Sequence, residues 1–231
     1  EDDEIYVRRS YGSDGPGAWY EVAKPGLANI INHYSMPHQI RRVGSGRATE
    51  FLVQPINWAD RMAGDEITNP TPRFCSIIKK VRTEDGISNE TVPEKRYINN
   101  AIFYRNRLCF LTGDAIVMSQ PMQNVKDERF DFWKKTATTL IDTDPIDMVV
   151  TTRNPTKLYD ALVVNNGLLL FSSSQQYLLS TNQDILSPKT AEVNEIASYR
   201  FNEKTSPISM GTTVGFLSNA GVNSRLFEMT K

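Results

Sequence analysis

Apolar and polar positions over residues 101–120, AIFYRNRLCFLTGDAIVMSQ, recur sixty residues later over residues 161–180, ALVVNNGLLLFSSSQQYLLS. Ala101, Asn106 and Leu108 return as Ala161, Asn166 and Leu168. Most other apolar slots stay apolar, as in Ile102 and Leu162, Phe110 and Leu170, or Met118 and Leu178. Each copy is an apolar run, a tight Asn-centred turn, a second apolar run, a small polar turn and a third run. Short apolar runs bounded by turn residues are strand signals. The pattern therefore predicts a three-stranded antiparallel meander, used at least twice. Repetition of one such unit implies a sheet module arrayed around an axis.

The same signals predict strands over residues 5–8 and 19–23, with a turn across Gly12 to Gly17, and over residues 38–43 and 48–53, with a turn at Gly44 to Gly46. Leu27, Ile30, Ile31 and Tyr34 share one face at helical spacing, so a short helix is expected over residues 25–34, stopped by Pro37. Residues 55–76, with Trp58, Gly64, Asp65, Asn69, Pro70 and Pro72, read as an irregular crossing, because the prolines remove donors that a central strand needs. Asp85-Gly86 among polar neighbours marks residues 83–96 as a surface loop. Residues 121–145 interrupt the sheet as a loop or short helix, with Phe130, Phe132 and Trp133 as an aromatic anchor. A strand is expected over residues 146–152, a strand pair around residues 190–200, and a divergent hairpin from residues 215–218 and 225–229, turned by Gly221 and Asn223.

Short strands, recurring turns and no long helical pattern define an all-β chain, a sandwich or a propeller. The repeat favours propeller-type antiparallel blades, with long inserted loops at about 55–96 and 121–145 and one or two short helices. At roughly 45 residues per blade, only three to four blades fit, so the expectation is a partial propeller.

Composition narrows the picture. Of 231 residues, 39% are hydrophobic and 23% charged, as in ordinary globular proteins. A net charge of −1 supplies no basic surface built to grip phosphate, yet is compatible with a passage through which nucleic acid slides. Cys75 and Cys109 are too few for a disulfide framework or a four-cysteine zinc site, and read as reduced, partly buried thiols. No apolar run approaches the ~20 residues of a membrane helix, and no signal peptide is visible. The chain begins EDDE, as expected of an internal portion of a longer protein or of its ordered part.

Chemistry-bearing motifs are sparse. Asp142, Asp144 and Asp147 around Pro145 offer clustered oxygens, but lack the glycine and distal glutamate of a helix–loop–helix calcium site. They read as a structural turn ahead of a strand. His33 and His38 lack the spacing of a helical metal pair, and His38 is expected to make a structural hydrogen bond. There is no Gly-x-Ser-x-Gly elbow and no phosphate-binding glycine loop. A carboxylate pair for glycan hydrolysis stays open, although no repeated aspartate box is present. Arg105, Asn106 and Arg107 occupy a hairpin turn from which both arginines are expected to project outward, clamping carboxylates across a subunit boundary or holding neighbouring blades through backbone carbonyls.

Four ordered stretches carry a more specific likeness. They are Met36-Pro37-His38; Trp58, Gly64-Asp65 and Asn69-Pro70-Thr71-Pro72-Arg73-Phe74; Ile98-Asn99, Phe103-Tyr104-Arg105-Asn106-Arg107-Leu108 and Phe110-Leu111, followed by Ile116 to Ser119; and Phe130-Asp131-Phe132 with Asp144-Pro145-Ile146-Asp147 and the meander through Phe171, Gln175, Gln176 and Tyr177. On these the chain resembles the tail tubular protein B family of short-tailed bacteriophages, also called nozzle proteins. It departs from the family in having few aromatics over residues 73–96 and a charged loop over residues 82–96.

The resemblance implies a structural virion protein of the distal tail, not an enzyme, with no cofactor. It implies a homo-hexamer assembled in the host cytoplasm, below a ring of the companion tail tubular protein and with tail fibres as further neighbours. Its channel passes the viral double-stranded DNA during ejection, and no segment spans a membrane. Residues 1–231 would be a central portion of the propeller body. Phe130, Phe132 and Trp133 would anchor a subunit interface, or else cover their own sheet. The competing readings are a glycan-binding or glycan-cleaving propeller of the host-recognition apparatus, and a generic protein-interaction propeller.

Overall fold

A computed structural model describes residues 6–10, 17–27, 31–74, 77–83, 86–92, 97–122, 130–150, 156–165 and 167–230. Seventeen strands account for its regular structure, and the described residues contain no α-helix. Every strand pairing is antiparallel.

Three ribbons come first. β1 (Tyr6–Ser10) pairs with β2 (Ala18–Val22), β3 (His38–Val43) with β4 (Glu50–Pro55), and β5 (Ile77–Thr83) with β6 (Gly86–Val92). The sixty-residue repeat then appears as two four-stranded meanders. The first holds β7 (Ile98–Tyr104), β8 (Arg107–Thr112), β9 (Ala115–Met118) and β10 (Ile146–Val149) in sequence order. The second holds β11 (Leu158–Val164), β12 (Gly167–Ser172), β13 (Gln176–Thr181) and β14 (Ala191–Ala197). A third sheet contains β15 (Ile208–Met210), β16 (Thr213–Ala220) and β17 (Asn223–Thr230).

Side-chain alternation along a strand decides how these sheets face one another. On β8, Leu108 and Phe110 enter a cluster with Ile31, Met36, Trp58, Phe74 and Phe132. Cys109 and Leu111, on its other face, enter the cluster shared with the second sheet. On β12, Leu168 and Leu170 face back into that shared cluster. Leu169 and Phe171 face onward, to Val214 and Phe216 of the third sheet. Equivalent positions of the repeat therefore point the same way along the stack. Two sheets of a sandwich closed on themselves would instead turn equivalent faces toward each other. The order is crossing, first sheet, second sheet, third sheet, each packed front to back.

The first strands of the two meanders repeat in detail. β7 and β11 each carry a register irregularity, between Ile98 and Asn100 and between Leu158 and Asp160. The side chain there accepts from the next backbone N–H, Ala101 N to Asn100 Oδ1 at 2.7 Å and Ala161 N to Asp160 Oδ1 at 2.8 Å. The two equivalent side chains then meet, Asn100 Nδ2 donating to Asp160 Oδ1 at 2.7 Å.

Several expectations are corrected. Residues 25–34 form no α-helix where described: residues 25 and 26 turn, a 3-10 turn spans His33–Ser35, and residues 28–30 lie outside the described residues. Asn32 caps that turn, its side chain accepting from Tyr34 N, which favours the tight turn over a longer helix. Residues 83–96 were expected to loop, yet β6 returns along β5 with Thr83 opposite Gly86. Its sequence GISNETV carries β-branched Ile87, Thr91 and Val92, residue types that favour a strand. Around residues 190–200 there is one strand, β14, paired to β13 rather than to a neighbour of its own. The hairpin near the end gains a third strand, β15. The expected turns at Gly12 to Gly17 and at Asn166 fall largely or wholly outside the described residues.

Candidate functional site

The turn between β7 and β8 is built from Arg105 and Asn106, at φ 45° and 59°. Two successive residues with positive φ give the hairpin a twist that matches its strands. Asn adopts this region readily and Arg does not, so neighbouring contacts must hold Arg105 there. Its Nη1 donates to Asp184 O at 3.2 Å, reaching the segment that follows β13.

Arg107 departs from the expected outward projection. It is 1% exposed, and its guanidinium turns inward as a four-way donor. Nη1 donates to Ser119 O at 2.8 Å and Asp144 O at 2.7 Å. Nη2 donates to Asp142 O at 2.9 Å and Leu186 O at 3.3 Å. One side chain thus joins the end of β9, the insertion before β10 and the segment after β13. Only a planar fork reaches four carbonyls in this way. Burial pulls its pKa down to about 10, with the charge of Asp144 acting in the opposite direction. It therefore stays cationic at neutral pH.

Asp144 is fully buried and closes the insertion from within. Its Oδ2 accepts from Ile141 N at 2.9 Å and its Oδ1 from Lys135 N at 3.4 Å. Asp147 is exposed, and its Oδ1 pairs with Arg73 Nε at 2.7 Å, tying β10 to the crossing. No group of His, Cys, Asp or Glu able to hold a metal ion occurs among the described residues.

The three aromatics of the insertion lie against their own chain. Phe132 stacks on Phe110, with centroids 5.4 Å apart, and meets Phe74 edge-on at 4.8 Å. Phe130 meets Trp58 edge-on at 5.3 Å. Trp133, 1% exposed, donates from Nε1 to Ala59 O at 2.8 Å and carries Arg61 over its ring at 4.5 Å. With Phe132 and Trp133 buried, their rings cover the first sheet rather than offering themselves to a neighbour.

The crossing contributes Arg61, which sequence reading missed, and gives Asn69 and Gly64 definite roles. Arg61 is buried and donates to Glu66 Oε1 at 3.1 Å and Thr71 Oγ1 at 3.2 Å. Asn69 Nδ2 donates to Ala63 O at 2.8 Å and Lys134 O at 3.1 Å, stitching crossing to insertion. Gly64 sits at φ 75° with no room for a Cβ, which would lie 2.6 Å from Thr68 Oγ1 and 2.8 Å from Asn69 Cβ. His38 Nδ1 lies 3.0 Å from Met36 O, and His33 Nδ1 2.7 Å from Ile56 O.

Beside the arginine turn opens a cleft of about 550 Å³, lined by Arg105, Arg107, Pro121, Asp142, Asp184 and Leu186 among others. Among the described residues no aromatic ring lines it. No helix among the described residues is long and apolar enough to cross a membrane.

Sheets packed front to back and bound by main-chain clamps make a structural wall module. The comparisons with known proteins give it a family. The family model described as Bacteriophage nozzle protein matches residues 1–231, and the chain belongs to that family of structural phage-tail proteins. The chain is also 29% identical over 216 residues to tail tubular protein gp12 of Escherichia phage T7, covering 94% of this chain. It spans only 23% of that relative's length.

Proposed function

We propose that these residues are a wall segment of the phage tail nozzle, in a homo-hexamer whose channel passes double-stranded DNA into the host. The observation that carries this reading is the front-to-back stacking of equivalent sheets. Such a stack continues by addition of further sheets and suits a stiff propeller body of which residues 1–231 are one part. The exposed far face of the third sheet, with Ile208, Met210 and Leu226, is where a next sheet would pack.

The companion tail tubular protein sits above the ring in this reading, and tail fibres lie alongside it, at the distal end of the virion tail. Subunits assemble in the host cytoplasm. Arg107 and Asp144 serve as an internal clamp that holds successive sheets together, with Asp147 bonding the crossing. Arg105 and Asn106 edge the open cleft, where a neighbour can be met. Phe130, Phe132 and Trp133 stiffen the wall from inside. The protein carries out no catalysis. A glycan-binding site would want stacked aromatics beside its carboxylates, and the cleft holds Asp142 and Asp184 without them.

Mass photometry and particle imaging of the whole protein test this reading. A six-fold ring is expected. A monomer that turns over polysaccharide would contradict it.

A further inference from the structure

The β3–β4 ribbon presents an apolar row that no described strand covers. Cross-strand pairing sets Ile40 opposite Val53 and Arg42 opposite Phe51, on one face of the ribbon. Ile40, Phe51 and Val53 are 71%, 70% and 63% exposed. A lone two-stranded ribbon is marginal in water, and contiguous exposed apolar side chains mark contact surfaces. Arg42 lies on this face and bonds Thr49 Oγ1 at 3.3 Å, with no carboxylate against it among the described residues.

A matching surface lies at the outer edge of the second sheet. Between that sheet and the third is an apolar notch of about 90 Å³, lined by Leu169, Leu178, Ile196, Val214 and Met229 among others. Ile196, 46% exposed, stands on the edge strand β14. Ser180 pairs with Glu192, two residues along β13 from the notch-lining Leu178, so Glu192 lies on the notch side of β14. It is four residues from Ile196, where the register shifts, or at most ~13 Å at ~3.3 Å per residue. Its carboxylate is met by Asn182 at 3.5 Å and by no cation among the described residues.

We propose that the β3–β4 ribbon of one copy packs on the β14 edge of a second copy, with Ile40 and Val53 over Ile196 and Arg42 paired with Glu192. Charge complementarity selects a second copy as the occupant. Residues 38–55 carry Arg41, Arg42 and Arg47 against Glu50, whereas β14 carries Glu192 and Glu195 and no base. Spacing agrees as well. The Arg42 row is ~6.6 Å along the ribbon from the Ile40 row, and an extended arginine side chain spans the rest of the way to Glu192. Opposed charges at such a contact set register and discriminate against wrong pairings.

This docking rests on the oligomeric reading above, and the test separates the two. Mass photometry would follow ring formation by the whole protein and by Arg42→Glu, Glu192→Arg and the double variant, each checked by its melting curve to be folded. Each single reversal is expected to lower the assembled fraction about tenfold, and the double variant to restore it to within about twofold. Val53→Ser, which keeps every charge, is expected to weaken assembly in the same direction. A wild-type protein that forms no ring overturns the oligomeric reading itself. A wild-type ring with undiminished single reversals, or with a double variant no better than the singles, overturns the docking alone.

Discussion

Arg107 carries more of the structure than its place in a surface-looking turn announces. Truncation to Ala leaves the carbonyls of Ser119, Asp142, Asp144 and Leu186 without their donor. The expected loss is about 3–5 kcal/mol, read from urea denaturation. Arg107→Lys should recover only part of it, because an ammonium cannot fork to four acceptors. A loss below about 1 kcal/mol for the Ala variant would remove the clamp from the account. Next to it, Cys109 is wholly buried, and desolvation pushes its thiol up to about 12. Only the thiolate alkylates at a useful rate, so peptide mapping after iodoacetamide treatment at about pH 8 should find Cys109 unmodified in the native protein and modified in urea. At Gly64 the left-handed backbone and the missing space act together, and Gly64→Ala should cost at least about 1–3 kcal/mol in the same denaturation assay.

Among the elements, the crossing over residues 56–74 depends most on pH. Backbone donors from Thr68 and Ile67 hold Asp65 below its ordinary 3.8. Partial burial acts to raise Glu66, but bonds and charge from Arg61, with Thr71, outweigh it and leave Glu66 below its ordinary 4.5. A carboxylate whose folded pKa is depressed contributes stability above its unfolded pKa, and loses it as pH falls through the folded value. From these two groups the melting temperature should be flat above about pH 5 and decline below about pH 4. Glu66→Gln should lower it at neutral pH and flatten the acid decline. An acid decline identical in that variant and wild type would assign the effect elsewhere. How far these elements could be read from sequence follows the periodicity. The two meanders are legible because Leu108 to Leu111 and Leu168 to Phe171 are buried on both faces, so both copies are uninterrupted apolar runs. β6 is hidden because its sequence GISNETV is mostly polar and shows no apolar alternation. Bonding of Arg105 and Arg107 to main-chain carbonyls was one of the two roles the sequence offered, but the inward turn of Arg107 was hidden, since tertiary packing and not residue type decides which carbonyls it meets. Phe132 and Trp133 were legible as anchors but not as to what they anchor, because a core ring and an interface ring have the same sequence signature.

At the scale of the molecule, the direction of packing matters more than the number of strands. Leu108 and Leu168 both face back, while Cys109 and Leu169 both face forward. The junction between the first two sheets carries the bond from Asn100 to Asp160, where β7 meets β11. Asp160→Ala should remove that bond together with the one to Ala161 N, loosening the junction while leaving each meander intact. Hydrogen exchange should then speed up along β7 and β11 more than along β13 and β14, and uniform acceleration across both sheets would contradict a local junction. The most direct test of the front-to-back stack is a side-chain-resolution density map of the assembled tail that contains this protein. A further antiparallel sheet is expected on the Ile208, Met210 and Leu226 face, related to the third sheet as the third is to the second and advancing around a common axis. That face lying open to solvent, or covered by a sheet turned to oppose it, would contradict the account.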